Sequence, residues 1–167
     1  MKLKTIIVII ACCAVLGSLN ACNNTKDKPM EMVVNDPTVS KEELNEEVNK
    51  KLVMDFYQQM FGDKDVTAVD RFIGSTYTQH NPMVADGPQA FKDAAKVWFD
   101  GQPKTKIDVQ HIAADKDLVF IHLKNKNPDG TLKSTIDIFR IENGKIVEHW
   151  DVQQDVPKTA ANKHPMF

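Results

Sequence analysis

Apolar residues recur at Leu44, Val48, Leu52, Phe56 and Met60, with Lys and Glu filling the opposite positions. That four-residue spacing predicts a long amphipathic helix. Ser40 followed by Glu43 is a capping box that would start it, and Gly62 marks its end. Val66 to Ile73, preceded by Asp65 as a cap, predicts a short second helix. Gly87 to Phe99, opened by Pro88, predicts a third. Between them, Ser75 to Asp86 carries Asn81-Pro82 and Asp86-Gly87 and cannot be regular helix, so it reads as an extended piece and a loop that holds His80.

From Thr105 the period changes to two. Ile107, Val109 and His111 alternate with polar residues, and runs from Leu118 to Lys124 and from Ser134 to Ile141 follow. Turn signals at Asp115-Lys116-Asp117, Pro128-Asp129-Gly130 and Asn143-Gly144 separate the runs. The expected class is therefore α+β, with three helices followed by a meander of about four strands and the helices segregated on one face.

The hairpin at Asn143-Gly144 allows two registers. A two-residue type I′ loop would pair Glu142 with Lys145 and set Asp137 beside Trp150. A type I turn with Gly144 as a bulge would pair Arg140 with Ile146, Asp137 with His149 and Thr135 with Asp151. The bulged register is the expected one, because it groups Ile136, Ile138, Ile146 and Trp150 on one face and lets Arg140 and Glu148 offset each other. Asp137, Phe139, Val147, His149 and Asp151 then share the other face. Residues alone leave open whether that face lines a cavity or meets water.

Composition narrows the choice of function. A chain of 167 residues, 42% hydrophobic and 26% charged, builds one ordinary core. Its net charge of -2 supplies no basic patch for a phosphate backbone, so nucleic acid is not an expected partner. The five histidines, at 80, 111, 122, 149 and 164, show none of the i, i+2 or i, i+4 pairs of a metal motif, and no metal is expected.

Met1 to Cys22 reads as a processing segment: Lys2 and Lys4, an apolar run from Ile6 to Leu16, then Leu19-Asn20-Ala21-Cys22. The ending resembles a bacterial lipobox, with Cys22 as the lipidated first residue; an ordinary secretory cleavage near Ala21 is the other reading. All three cysteines lie in this segment, which leaves the rest of the chain without disulfide, thiolate nucleophile or Cys ligand. Residues 23–39 read as a flexible linker, 40–156 as the folded domain and 157–167 as a tail. Without Lys2 and Lys4 the balance is 19 basic against 23 acidic residues. The expected location is a bacterial cell membrane, facing the periplasm or the exterior, reached through the lipid anchor alone.

Two segments carry a family resemblance: Tyr77-Thr78-Gln79-His80-Asn81-Pro82, and Asp137 through Asp151, which ends Glu148-His149-Trp150-Asp151. From about Ser40 onward the chain resembles the SnoaL-like polyketide cyclase branch of the NTF2-like superfamily. The resemblance implies a cone-shaped α+β fold in which a curved, mainly antiparallel sheet is closed by N-terminal helices, and a homodimer formed through the outer sheet face. It further implies that the Asp matched by Asp151 is the general acid/base of an aldol-type ring closure that needs no cofactor. Asp137 and His149 match polar residues of the same cavity.

Such chemistry removes a proton α to a carbonyl and stabilises the enolate oxygen, a task suited to a carboxylate with a nearby imidazole donor. The candidate catalytic residues are Asp151, His149, Asp137 and His80; His80 has the alternative of capping its own turn. Tyr77, Trp98, Phe120, His122 and Phe139 are the candidate substrate contacts, with Phe99 as a further wall, although aromatic residues at such spacing also serve as plain core. The expected ligand is a small, largely apolar carbonyl compound. An enzyme and a non-catalytic pocket protein both fit these residues.

Overall fold

The computed structural model describes residues 39–167. The expected lipidation at Cys22, the signal segment and the linker up to residue 38 lie outside the described residues.

Helix α1, Lys41–Tyr57, begins with the capping box read from the sequence: Ser40 Oγ accepts the Glu43 N–H at 3.1 Å and Glu43 Oε2 accepts the Ser40 N–H at 2.7 Å. It runs into one π-helical turn, Gln58–Gly62, so the helical run ends at Gly62 as its spacing predicts. The wide turn lets Gln58 fasten the chain that leads into the sheet: its amide donates to the Thr105 carbonyl at 3.1 Å and accepts the Ile107 N–H at 3.2 Å. Gly62 is required there, because a Cβ on it would lie 2.8 Å from the Thr105 carbonyl oxygen. Helix α2 is shorter than expected, Ala68–Phe72, and α3 spans Pro88–Phe99.

The sheet has five strands: β1 Ile73–Gln79, β2 Val109–Asp115, β3 Leu118–Lys126, β4 Leu132–Glu142 and β5 Lys145–Asp155, in the order β1-β5-β4-β3-β2. The last four form the expected antiparallel meander. β1 corrects the sequence reading: Ile73 opens a strand instead of ending a helix, and the strand pairs in parallel with β5.

The expected register of the last hairpin is also corrected. Asn143 and Gly144 both have positive φ, 51° and 70°, so the turn is the two-residue type, with Glu142 opposite Lys145. The extra residue sits further along at Val147, between the pairs Ile141–Ile146 and Arg140–Glu148. Beyond it Asp137 faces Asp151 and Phe139 faces His149, two residues from the expected pairing. A two-residue slip keeps Asp137, Phe139, His149 and Asp151 on one face and Ile136, Ile138 and Trp150 on the other, as expected, but Ile146, before the bulge, pairs with Ile141 and is buried on the inner face, which corrects its expected placement.

The inner face carries Val119, Ile121, Leu123, Thr135, Asp137, Phe139 and Ile141, all buried. α1 covers it over β2 and β3, while α3 lies against β1. Phe56, fully buried, is the centre of the core, with rings of Phe61, Phe72, Phe91 and Phe139 within 6.4 Å of its own.

Candidate active site

A cavity of about 750 Å³ opens between the inner face, α3 and the Gln102–Asp108 segment. Its floor holds Asp137, His149 and Asp151, and its apolar wall holds Phe61, Val84, Phe91 and Trp98. Residues directly opposite on antiparallel strands place their Cβ atoms about 4.5–5.5 Å apart, which brings Asp137 and Asp151 together.

Asp137 is 5% exposed, and both of its carboxylate oxygens are taken. Oδ1 lies 2.9 Å from His149 Nε2, and Oδ2 accepts the Tyr57 hydroxyl at 3.0 Å. The other His149 nitrogen, Nδ1, lies 2.8 Å from Gln79 Oε1. That oxygen also accepts the Asn81 backbone N–H at 3.0 Å, which fixes the orientation of the amide; the Gln79 Nε2 turns to the Tyr77 hydroxyl at 3.2 Å. Facing an acceptor, Nδ1 must carry a hydrogen. Nε2 then either carries a second hydrogen or accepts one from the Asp137 carboxyl, and in both cases one proton lies between the two side chains. Phe139, 2% exposed, stacks beneath the imidazole at 4.9 Å and holds it flat against the floor.

Asp151 is placed differently. Its Oδ2 accepts two amides, Asn81 Nδ2 at 2.9 Å and Gln153 Nε2 at 2.7 Å. Among the described residues Oδ1 has no partner, which leaves it open to a ligand in the cavity. The carboxylate is thus oriented by two donors with one oxygen in reserve, beside a pair that holds a proton.

Burial, reinforced by the charge of Asp137, pushes the Tyr57 phenol well above its ordinary value of 10.0. The same two causes push Tyr77 upward. Tyr57 therefore remains a donor to Asp137 throughout the neutral and moderately alkaline range.

Several expected site residues lie elsewhere. His80 stacks on Trp150 with ring centroids 4.6 Å apart and bonds Glu148 Oε1 at 2.9 Å, both on the outer face. It is one residue past the side chain that reaches the floor, because successive residues of an extended segment point to opposite sides. Phe120 and His122 alternate with the buried Val119, Ile121 and Leu123 and so face outward; His122 meets His111 and Ser134 there. Tyr77 and Phe139 stand behind the polar floor, and Trp98 is on the wall, 45% exposed.

Sequence reading missed Tyr57, Gln79 and Asn81. Gln79 and Asn81 flank His80 within the quoted segment and alternate with it, and that alternation was the available signal. Tyr57 interrupts the apolar spacing of α1 next to Phe56, and nothing in the sequence ties it to Asp137, 80 positions away.

The SnoaL-like polyketide cyclase family matches residues 51–161. The chain belongs to that family. Solved structures with the same fold include a candidate polyketide cyclase from Acidithiobacillus ferrooxidans, 18% identical over 64% of this chain and 87% of that one, with a TM-score of 0.54. An NTF2-like protein of unknown function from Burkholderia xenovorans is 15% identical over 69% and 89%, with a TM-score of 0.56. An LEH-like epoxide hydrolase from M. tuberculosis is 15% identical over 64% and 83%, with a TM-score of 0.52. No curated protein matches the sequence. The expected α+β, NTF2-like architecture is the one found, and within this fold Asp151 borders the cavity while His80 does not.

Proposed function

We propose that this SnoaL-like protein is a cofactor-free acid/base enzyme of the aldol-cyclase or isomerase type, acting on a small carbonyl compound, with Asp151 as the general base. The observation that supports this most directly is Asp151 itself: two amide donors orient one oxygen while the other is open to the cavity. Proton removal α to a carbonyl then leaves an enolate above the Asp137–His149 pair, whose shared proton offsets the developing charge. Both ring nitrogens of His149 are engaged, so the ring acts through that proton and not as a free donor. Gln79 and Asn81 position the two halves of the site, and Phe61, Phe91 and Trp98 receive the apolar body of the ligand.

Deuterium exchange from solvent into a panel of small ketones and β-keto esters tests the chemistry without knowledge of the substrate. Loss of a positioned base typically costs on the order of 100- to 10,000-fold, so Asp151→Asn is expected to abolish most of the exchange while keeping the fold. Equal background exchange by both proteins, with an apolar probe still bound, would instead favour the second reading, a pocket protein that holds its ligand without turnover. That reading draws on the near-complete internal pairing of the Asp137–His149–Gln79 chain.

The same proposal places the domain at the cell envelope, anchored through lipidated Cys22. Cys22→Ser is expected to move the protein from the membrane fraction to the soluble one; a mature chain whose N-terminus lies elsewhere and bears no lipid would refute the anchor. A homodimer through the outer sheet face is part of this reading, supported by Ile136 and Val152, which are 40% and 67% exposed there.

A further inference from the structure

The cavity is polarised along its length. Its inner end combines the Asp137, His149 and Asp151 floor with aromatic walls. Its mouth, by contrast, is lined by five lysines: Lys64, Lys106, Lys124, Lys126 and Lys133. Among the described residues none of the five is paired with a carboxylate, whereas Lys50, Lys51, Lys92 and Lys96 on the helices each have one.

Two of the five, both half-buried in this lining, come from different elements. Lys133 is on the inner-face register of β4 and donates to Gln153 Oε1 at 3.0 Å. Lys64 follows the π-helical turn; its ammonium donates to the Phe61 carbonyl and lies 5.0 Å over the Phe99 ring. Partial burial pushes this ammonium below its ordinary value. Its present partners, a neutral carbonyl and a ring, leave its charge without an anion. Lys124 leans outward over Phe167 and contributes less. The single aspartate at the mouth, Asp108, is bonded by Gln110 at 2.7 Å.

Of the charges in this lining, Lys106 and Lys126 are exposed and cationic, and the most buried one, Asp137, is a carboxylate. We infer that the ligand is an amphipathic organic anion: a cyclic or aromatic carbonyl compound with a carboxylate or similar acidic group, held with that group at Lys64 and Lys133 and its carbonyl end toward Asp151. The reverse orientation would set like charges against each other at Asp137 and Asp151. The inference rests on the cavity being the ligand site proposed above. It adds both a chemical class and a direction of entry.

Two fluorescent probes that differ by one acidic group separate the ideas: 1-anilinonaphthalene-8-sulfonate and its uncharged parent, N-phenyl-1-naphthylamine. The full-length protein is expected to bind both. The double variant Lys64→Gln/Lys133→Gln should weaken the sulfonate roughly 3- to 10-fold at low salt and leave the neutral probe unchanged. Lys64→Arg/Lys133→Arg should restore sulfonate binding, with an unchanged thermal midpoint showing that the fold is intact. Equal loss of both probes, or sulfonate binding indifferent to the two lysines, would overturn the anion inference and leave the cavity reading in place. Wild-type protein that binds only the neutral probe has the same meaning. If neither probe binds, both the inference and the cavity reading fall.

Discussion

The two faces of β4 and β5 use similar residues to opposite ends. On the inner face Asp137 is buried, His149 and Asp151 are half-buried beside it, and their bonds run to Tyr57, Gln79 and Asn81 on other elements. On the outer face Arg140 Nε donates to Glu148 Oε2 at 2.7 Å, and Glu148 also meets His80. Arg140 and then His80 hold the Glu148 carboxyl below its ordinary value. That outer chain lies open to solvent and is screened, so it stabilises the fold only slightly. Around Asp137 the inner chain is buried, so a missing partner of that carboxylate is costly. Ion pairs of comparable geometry thus differ in consequence through burial alone, and a single residue along a strand separates them.

The contrast is broken most severely at the aromatic support of each face. Phe139→Ala, beneath His149, is expected to cost about 3–5 kcal/mol in denaturant unfolding, whereas Phe120→Ala on the half-buried outer side of β3 should cost clearly less. Equal losses would mean that the outer face is as well packed as the inner one.

Tyr57→Phe comes next. It leaves a buried Asp137 oxygen unpaired, at about 1–3 kcal/mol of stability. The chain has only two tyrosines, and both phenols are raised above 10.0. A raised acid contributes stability that is fully present below its unfolded value and is lost as pH rises toward the folded one. Tyrosinate absorbance should therefore be missing at pH 10 in the folded protein and appear, together with unfolding, well above it. Half-titration of either phenol near pH 10 in folded protein would contradict the buried Tyr57–Asp137 bond.

The smallest effect sharpens the comparison most. Gln79→Leu removes the acceptor that orients His149, and should slow exchange by roughly 10-fold with a smaller loss of stability than Tyr57→Phe, because Gln79 is only half-buried. His80→Ala, one residue away and facing outward, should leave the rate unchanged. A larger loss from His80→Ala than from Gln79→Leu would return His80 to the chemistry.

How much of this was legible follows from range. The Ser40–Glu43 cap, the helix to Gly62 and the alternation of β4 are local patterns, and they were read from sequence with their side chains on the correct faces. The bulge at Val147 was not, because Asn143-Gly144 is compatible with more than one turn and nothing in Ile146-Val147-Glu148 announces an extra residue. β1 was read only as an extended piece from Ser75, for a different reason: Ile73-Gly74-Ser75-Thr76-Tyr77 lacks a clean alternation, and its parallel partner lies some 70 positions away. Without a partner strand the extended piece had no inner face in the sequence, so nothing there favoured Gln79 over His80.

The parallel pairing of β1 with β5 also orders events in time. Hairpins β2–β3, β3–β4 and β4–β5 each close over a few residues, so that part of the sheet can form early and independently. The bonds from Gln79 and Asn81 to His149 and Asp151 each span 70 positions, and the Tyr57–Asp137 bond spans 80, so the site closes over long loops. The polar floor is therefore finished by the slowest class of contact, after a large part of the core is already in place. Catalytic geometry in this chain becomes a property of the completed fold, held in check until the segment that contains Gln79 and Asn81 has joined the rest.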